Sequence, residues 1–428
     1  MKFIIETYGC QMNVADSELV TSILLEAGHT AVCNIDEADL ILFNTCSVRQ
    51  HAEDRVLGRI SNERNRKKSN PRLNIGVIGC MAQRIGTELM QQDLGIDFVA
   101  GVDQYDKLVQ IIDEHDQNDY LDFDENQIYD YIQPQHQTGV CGFVTIMRGC
   151  NNYCSYCIVP YVRGRERSRP YESILKEINN AVHKGIKDIT LLGQNVNSYM
   201  YQDMNFAKLM KRLNNETGIS RLRFVTSHPK DLSDDLIEVM ATAPKVCEHI
   251  HLPMQSGDNE ILDKMSRKYT IEHYLRLIQK LRSAIPDIAI TTDVIAGFPG
   301  ETDSQFKNTI KAMREIAFDY AFCFKYSNRD GTLAAGFQDQ IEEQVKLQRL
   351  QQLIDIQRKS TKQKFESQIG KLLEVLVEGK SKQGGKQLSG KTRDFKICVF
   401  DGEENRIGQL VKVNVIRATA GTLIGEQA

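Results

Sequence analysis

Cys150, Cys154 and Cys157 lie within eight residues, in the run Met147-Arg-Gly-Cys-Asn-Asn-Tyr-Cys-Ser-Tyr-Cys-Ile158. This spacing makes one tight loop turn three thiolates toward a common point. A cubane cluster has four irons, so three cysteines hold it and leave one iron open. Zinc sites usually pair Cys-x2-Cys with a second Cys or His pair. Here the spacing is x3 then x2, with no fourth ligand close by. An open iron is useful only where another group must bind, which points to chemistry rather than to a structural knuckle.

At 428 residues the chain is long enough for two or three domains. Its hydrophobic content of 41% and charged content of 26% are those of a globular protein. No run approaches the roughly 20 apolar residues that span a bilayer, and Met1-Lys-Phe-Ile-Ile-Glu6 reads as a strand rather than a signal peptide. A cytoplasmic, membrane-free enzyme is expected. There thiols stay reduced, and clustered cysteines among the eleven point to metal. The net charge of −4 gives no global attraction to nucleic acid, so any RNA contact needs local basic patches.

The first stretch alternates strands and helices. Phe3 to Thr7, Asp39 to Asn44 and Asn74 to Gly79 read as buried strands, and Ser17 to Ala27 as a helix ended by Gly28. A cysteine follows each strand closely: Cys10, Cys46 and Cys80. Ligands of an open parallel sheet bind off the carboxyl ends of its strands. The three thiols can therefore converge on a second cluster, although a single free Cys is commonly just a small buried hydrophobe. Residues 111–137 hold eight Asp/Glu and no Lys or Arg, which suggests a surface connection or mobile linker. From there a repeated βα pattern runs through strands near 142–147, 188–193, 221–226, 249–253, 289–295 and 319–325, with helices such as 171–184 and 271–285. It fits a parallel barrel-like sheet with its site at the strand carboxyl ends. A Gln-, Lys- and Arg-rich helix over 341–368 leads to alternating strands at 372–378, 396–400 and 409–416, read as a small antiparallel barrel. That last part, residues 369–428, carries 10 Lys/Arg against 7 Asp/Glu.

The triple-cysteine run, with Tyr156 before its last cysteine, resembles the signature of radical S-adenosylmethionine enzymes. Tyr8-Gly-Cys-Gln-Met-Asn13, Asn44-Thr-Cys-Ser-Val-Arg49, Gly79-Cys-Met-Ala-Gln83 and Arg163-Gly-Arg-Glu-Arg-Ser-Arg169 resemble the methylthiotransferases of that superfamily, and the first looks most like the MiaB type acting on tRNA. The resemblance runs from residue 2 to the end. It implies an α/β protein of three parts: an N-terminal open parallel sheet domain (1–117), a central partial (β/α)6 barrel (136–366) and a C-terminal TRAM β-barrel (369–428). It implies two [4Fe-4S] clusters, on Cys10, Cys46 and Cys80 and on Cys150, Cys154 and Cys157, with S-adenosylmethionine on the latter. Reductive cleavage would give a 5′-deoxyadenosyl radical that takes hydrogen from carbon 2 of N6-isopentenyladenosine at position 37 of tRNA, and a second S-adenosylmethionine would supply the methyl group. Siblings acting on threonylcarbamoyladenosine or on a ribosomal protein are the near alternatives, and a non-catalytic RNA-binding metal protein the remote one. A monomer fed by a flavodoxin or ferredoxin is expected.

Polar or Gly-rich loops follow four of the barrel strands. The cofactor needs backbone groups and small polar side chains for its adenine, ribose and amino-acid head. Gln194, Ser227, Gln255 and Ser256 are candidates for the ribose and methionine ends, Gly297 and Gly300 for close approach to the adenine, and Tyr156 for the adenine edge. His228, His249 and His251 read as structural histidines near the barrel mouth, and Cys33, Cys141, Cys247, Cys323 and Cys398 as packing residues. Arg55 to Arg72 contains seven Lys/Arg and one acidic residue. Arg163, Arg165, Arg167 and Arg169, with Lys391 and Arg393 in the last domain, are candidate phosphate contacts to the anticodon loop, because guanidinium pairs with phosphate bidentately and single-stranded RNA loops are read through splayed bases.

Overall fold

A computed structural model of the chain describes residues 1–47, 50–114, 118–136, 139–382 and 384–428. Val48 and Arg49 of the Asn44 motif, and 115–117 and 137 of the acidic stretch, lie outside the described residues. Six parallel strands form the N-terminal sheet: β1 (Lys2–Tyr8), β2 (Thr30–Ala31), β3 (Leu40–Thr45), β4 (Asn74–Gly79), β5 (Phe98–Ala100) and β6 (Asn118–Tyr120), in the order β2-β1-β3-β4-β5-β6. Every residue of β3 is buried, as expected of a central strand covered on both faces. Leu40 and Leu42 pack on Leu19, Val20 and Leu24 of α1 (Gln11–Glu26). Ile41 and Phe43 point the other way, onto Val56 and Ile60 of α2 (Gln50–Ser69) and Met81 of α3 (Cys80–Gln91).

Two expectations change here. Helix α1 begins well before Ser17, because Cys10 is its N-cap and Asn13 closes a capping box with it. The acidic stretch is not a free linker. β6 pairs with β5, and Tyr129 and Ile132 are buried in the N-terminal core. The Tyr129 hydroxyl accepts the Tyr105 N–H and donates to the Val102 carbonyl, both at 3.0 Å. A few large apolar side chains outweigh the acidic composition around them.

The central sheet has six parallel strands: β7 (Cys141–Thr145), β8 (Asp188–Leu192), β9 (Arg221–Phe224), β10 (His249–His251), β11 (Ala289–Ala296) and β12 (Tyr320–Lys325). Two three-stranded halves meet through a parallel bridge between Leu222 and Val246. Among the described residues β7 and β12 do not pair, so the barrel is open on one side. Alternate side chains such as Ile189, Leu191, Leu222, Phe224, Ile290 and Val294 point outward into one large core with the helices α4 (Tyr171–His183), α5 (Phe206–Glu216), α6 (Asp234–Thr242), α7 (Ile271–Ala284) and α8 (Asp303–Ile316).

Helix α9 (Glu343–Glu366) leads into a closed barrel of β13 (Leu372–Lys380), β14 (Gln387–Thr392), β15 (Ile397–Asp401), β16 (Leu410–Ala418) and β17 (Leu423–Gln427). It is antiparallel except for the β15–β17 pair. Strands β14 and β17 carry Gly and polar residues that hide them from periodicity alone. This small barrel floors the large one. Arg221, fully buried at the start of β9, donates to the Lys391 carbonyl at 2.6 Å and the Glu374 carbonyl at 3.2 Å. Arg223 donates to the carbonyls of Arg393 and Thr392, and Phe395 stacks on His249 with ring centres 4.9 Å apart. Among the described residues no helix is long and apolar enough to cross a membrane.

Candidate active site

β1, β3 and β4 are neighbours, so Cys10, Cys46 and Cys80 leave the same edge of the sheet. Gly9 has φ +142°, and a Cβ there would lie 2.4 Å from Cys46 Cβ, so only glycine lets β1 end against Cys46. Asn13 and Asn44 hold the edge together. Asn13 Nδ2 donates to Asn44 Oδ1 at 3.0 Å and to the Thr45 carbonyl at 3.2 Å, while Asn44 Nδ2 donates to the Asn13 carbonyl at 2.8 Å. Cys10 caps α1 and Cys80 opens α3, where helix dipoles favour thiolate. A hydrogen bond from Cys46 draws the Cys10 thiol down to about 6 against the effect of burial, with help from the Arg163 charge. Cys80, pushed up by burial, accepts a hydrogen bond from Arg163 Nε at 3.1 Å.

The second triad is local. Gly149 has φ +73°, and a Cβ there would meet the Arg165 carbonyl oxygen at 1.9 Å, so the loop crosses Arg165 only with glycine. Cys157 N–H donates to the Cys154 carbonyl at 2.9 Å, and Ser155 Oγ donates to the Lys264 carbonyl at 2.7 Å. Burial, with the neighbouring Cys154 adding to it, raises Cys157 to about 12. Burial raises Cys150, again with Cys154 contributing. These mutual influences mark thiols that face one another. Arg267 Nη1 donates to Cys154 Sγ at 3.3 Å. Among the described residues no three His, Cys, Asp or Glu side chains close on a single ion. Three thiols around a space, with a cationic donor on one sulfur, suit a cubane whose irons sit at separate corners.

Beside this loop the strand ends form a cup. The buried atoms Gln194 Oε1, Asn195 Oδ1, Ser227 Oγ, His228 Nε2 and Gln255 Oε1 have no hydrogen-bond partner among the described residues. Each such atom costs about 1–3 kcal/mol, so the set together points to a missing polar ligand. They lie on contiguous structure. Ser227 N–H donates to the His251 carbonyl, the His228 ring meets Tyr269 edge-on at 5.6 Å, and the Tyr269 hydroxyl donates to the Met254 carbonyl at 2.7 Å. Thr226 and Gln255 hold φ of +68° and +65°, a strain for non-glycine residues, and sharpest for a β-branched one. Burial and the Arg267 charge hold His228 at about 2, so it stays neutral. Polar atoms of this kind fit the amino, carboxylate and ribose groups of S-adenosylmethionine. Tyr156 lies edge-on to Phe298 at 6.5 Å.

The chain matches three family models: the Radical SAM superfamily over residues 144–313, the Uncharacterized protein family UPF0004 over 2–101 and the TRAM domain over 366–427. It is 48% identical over 431 residues to the tRNA-2-methylthio-N(6)-dimethylallyladenosine synthase of Thermoanaerobacter sp., covering 99% of this chain and 92% of that relative. It is 45% identical over 434 residues to the enzyme of the same name from Clostridium novyi, covering 99% and 96%. The chain belongs to the radical S-adenosylmethionine tRNA methylthiotransferases. The fold resembles that of the radical S-adenosylmethionine methyltransferase TsrM from Kitasatospora setae, solved with cobalamin and a [4Fe-4S] cluster bound, with a TM-score of 0.59 at 14% identity over 78% of this chain and 77% of that one.

In this methylthiotransferase several expected site residues are already engaged. Three of the four arginines after the cysteine loop are ion-pair partners, Arg163 and Arg169 buried and Arg167 partly so, not free phosphate contacts. Arg163 Nη2 meets Asp16 at 2.7 Å, Arg167 meets Asp103 at 2.9 Å and Arg169 meets Glu177 at 2.7 Å. The segment folds back under the N-terminal domain, where a buried charge must be paired. Arg148 also reaches Asp16, at 2.6 Å, so one carboxylate on α1 ties down both flanks of the loop. Arg165 alone points outward, its side chain 72% exposed and only loosely paired, at 4.0 Å, with the equally exposed Glu125. Lys391 pairs with Glu378, and Arg393 with Glu248 at the barrel floor. On α2, Arg59, Arg64, Arg66 and Lys67 pair with carboxylates, leaving Arg55 and Lys68, with Arg72 just beyond the helix, at the surface.

The cofactor candidates also divide. Gln194, Ser227 and Gln255 keep unpartnered atoms in the cup, whereas Ser256 is fully buried against Thr309 and caps the Asp258 N–H. Gly297 has φ +72°, and a Cβ there would meet Lys346 Cγ of α9 at 2.5 Å. Gly300 has φ +74°, and its Cβ would meet Lys264 Nζ at 2.7 Å. Turn geometry and packing require glycine at both positions. Sequence reading missed Asn195 and Arg267 and took His228 for a satisfied histidine. The polar Gln194-Asn-Val and Ser227-His-Pro loops were the only available signal.

Proposed function

We propose that this chain inserts a methylthio group at carbon 2 of N6-dimethylallyladenosine beside the tRNA anticodon. The observation that carries the reading is the pairing in one molecule of two thiol triads, each with a buried arginine on one sulfur, one of them opening onto the strand-end cup. When bound, the two clusters and S-adenosylmethionine supply a carbon-centred radical and the sulfur to be transferred. The chain supplies position. Cys150, Cys154 and Cys157 hold one cluster at the cup, and Cys10, Cys46 and Cys80 hold the other at the sheet edge. Gln194, Ser227 and Gln255, with Asn195, offer hydrogen bonds to the cofactor. Neutral His228 takes part without adding charge beside Arg267. Tyr156 and Phe298 border the adenine side. Arg165 meets tRNA phosphate from the surface. The enzyme works as a cytoplasmic monomer and takes electrons from a flavodoxin or ferredoxin.

Nucleoside mass spectrometry of tRNA from a deletion strain tests this. The 2-methylthio nucleoside should vanish, with the dimethylallyl precursor in its place, and return on complementation. Unchanged methylthio-dimethylallyladenosine would overturn the proposal. Loss of a methylthio-threonylcarbamoyl nucleoside instead would move the chain to the sibling class.

A further inference from the structure

Edge strand β12 carries an unusual row of aromatic side chains. Its alternate residues Ala321 and Cys323 pack outward on the helical core. Tyr320, Phe322 and Phe324 therefore point into the barrel, and they are 47%, 43% and 38% exposed. Large aromatic rings are seldom left in water as a contiguous row. The strand is the open border of the barrel, with no neighbour beyond it among the described residues.

The row is organised. Tyr320 and Phe322 meet edge to face at 4.9 Å, and Phe322 meets His251 edge-on at 6.0 Å. At the bottom, His249, the first residue of β10 on the far side of β11, stacks on Phe395 of the C-terminal barrel. At the top the chain continues into Tyr326, which packs on Phe298 at 5.4 Å, next to Tyr156 of the cysteine loop. The three exposed rings thus lie on the open border between the level of the small C-terminal barrel and the buried Tyr326–Phe298 pair beside the cysteine loop.

We propose that Tyr320, Phe322 and Phe324, backed by His251, form a track that stacks unpaired purine bases of the RNA and seats the apolar N6 substituent of the target adenine. The inference rests on the function proposed above and adds residues that set its specificity. Unstacked bases are the ligand class that aromatic rows on β-sheets bind, because every base presents a π face. An anionic or purely aliphatic ligand would not call for three rings in line. A branched hydrocarbon on the adenine gains from the same surface by the hydrophobic effect.

The chain contains no Trp, so Phe322→Trp places a single tryptophan in the track. With the reconstituted full-length enzyme, its fluorescence should be quenched on adding an anticodon stem–loop RNA that carries dimethylallyladenosine. Phe322→Ala should bind that RNA roughly tenfold more weakly and lose much of the preference over the unprenylated stem–loop. Phe322→Leu, which keeps the volume apolar, should retain more of that preference than of the affinity. Variants with wild-type iron content and melting temperature are the ones compared. An unquenched tryptophan, or a Phe322→Ala enzyme that binds both RNAs like wild type, overturns the track. These binding measurements are independent of turnover. A wild-type enzyme that binds as described but forms no methylthio product would refute the proposed function and leave the track standing.

Discussion

The two cysteine triads reach a similar arrangement by opposite routes. Cys150, Cys154 and Cys157 are gathered by one loop, and glycine at 149 with a backbone bond at Cys157 suffices to turn them together. Cys10, Cys46 and Cys80 are gathered by a sheet, and they meet only because β1, β3 and β4 are neighbours. Their surroundings differ too. The Cys46 hydrogen bond draws Cys10 down to about 6, whereas Cys157 is pushed up to about 12 by burial. Yet each site places one arginine on one sulfur. Arg163 also carries Asp16, so the N-terminal site is wired into the domain interface, while Arg267 otherwise meets Tyr269 and the Pro253 carbonyl. A local motif fixes a site by itself, and a dispersed one fixes a site and a domain contact together.

The largest expected effects separate the triads. Replacing Cys150, Cys154 and Cys157 together by Ala should abolish 5′-deoxyadenosine formation while the N-terminal cluster still loads, leaving about half the iron. Product chromatography and iron analysis read this, and residual cleavage would break the assignment. The corresponding Cys10, Cys46 and Cys80 variant should keep cleaving S-adenosylmethionine and form no methylthio product. Unchanged product would reduce those three thiols to packing.

The interface offers a smaller but sharper contrast. Asp16→Ala leaves two buried guanidinium groups without their shared carboxylate and should destabilise the protein by about 3–5 kcal/mol in denaturant unfolding. A midpoint equal to wild type would mean that the carboxylate does not hold the domains. Arg163→Gln should lower the midpoint potential of the N-terminal cluster only, because a lost cationic hydrogen bond disfavours the more negative reduced state. Arg267→Gln should do the same to the other cluster. A tenfold change in either one-electron equilibrium is about 59 mV. Potentiometric titration followed by electron paramagnetic resonance distinguishes them, and equal shifts at both clusters would erase the contrast.

The smallest effect concerns RNA. Arg165→Ala should weaken tRNA binding modestly and flatten its salt dependence by about one phosphate contact. Arg167→Ala should leave the salt slope alone and lower stability, since its partner is the buried Asp103. The reverse pattern would return the internal arginines to the RNA surface. Removing residues 369–428 is no clean test of RNA gripping. It would strip Arg221 and Arg223 of the carbonyls that receive them, so the barrel floor should melt along with any RNA contact.

By itself the sequence determined the cysteine loop, the alternation of strands and helices and the three strand-end thiols of the first domain. Each of these is a short-range pattern, written in spacing or in runs of apolar residues. Sequence alone read Arg163, Arg167 and Arg169 as free cations, the acidic stretch as a tether and Gly297 and Gly300 as a cofactor cradle. Only the tertiary structure put Asp16, Asp103 and Glu177 against those arginines, buried Tyr129 and Ile132, and laid α9 against Gly297. It alone left Tyr320, Phe322 and Phe324 uncovered along an open barrel edge. The physical reason is common to all of them. Whether a charge is free or paired, and whether a ring is core or platform, depends on which distant segment packs against it, and no local spacing encodes that.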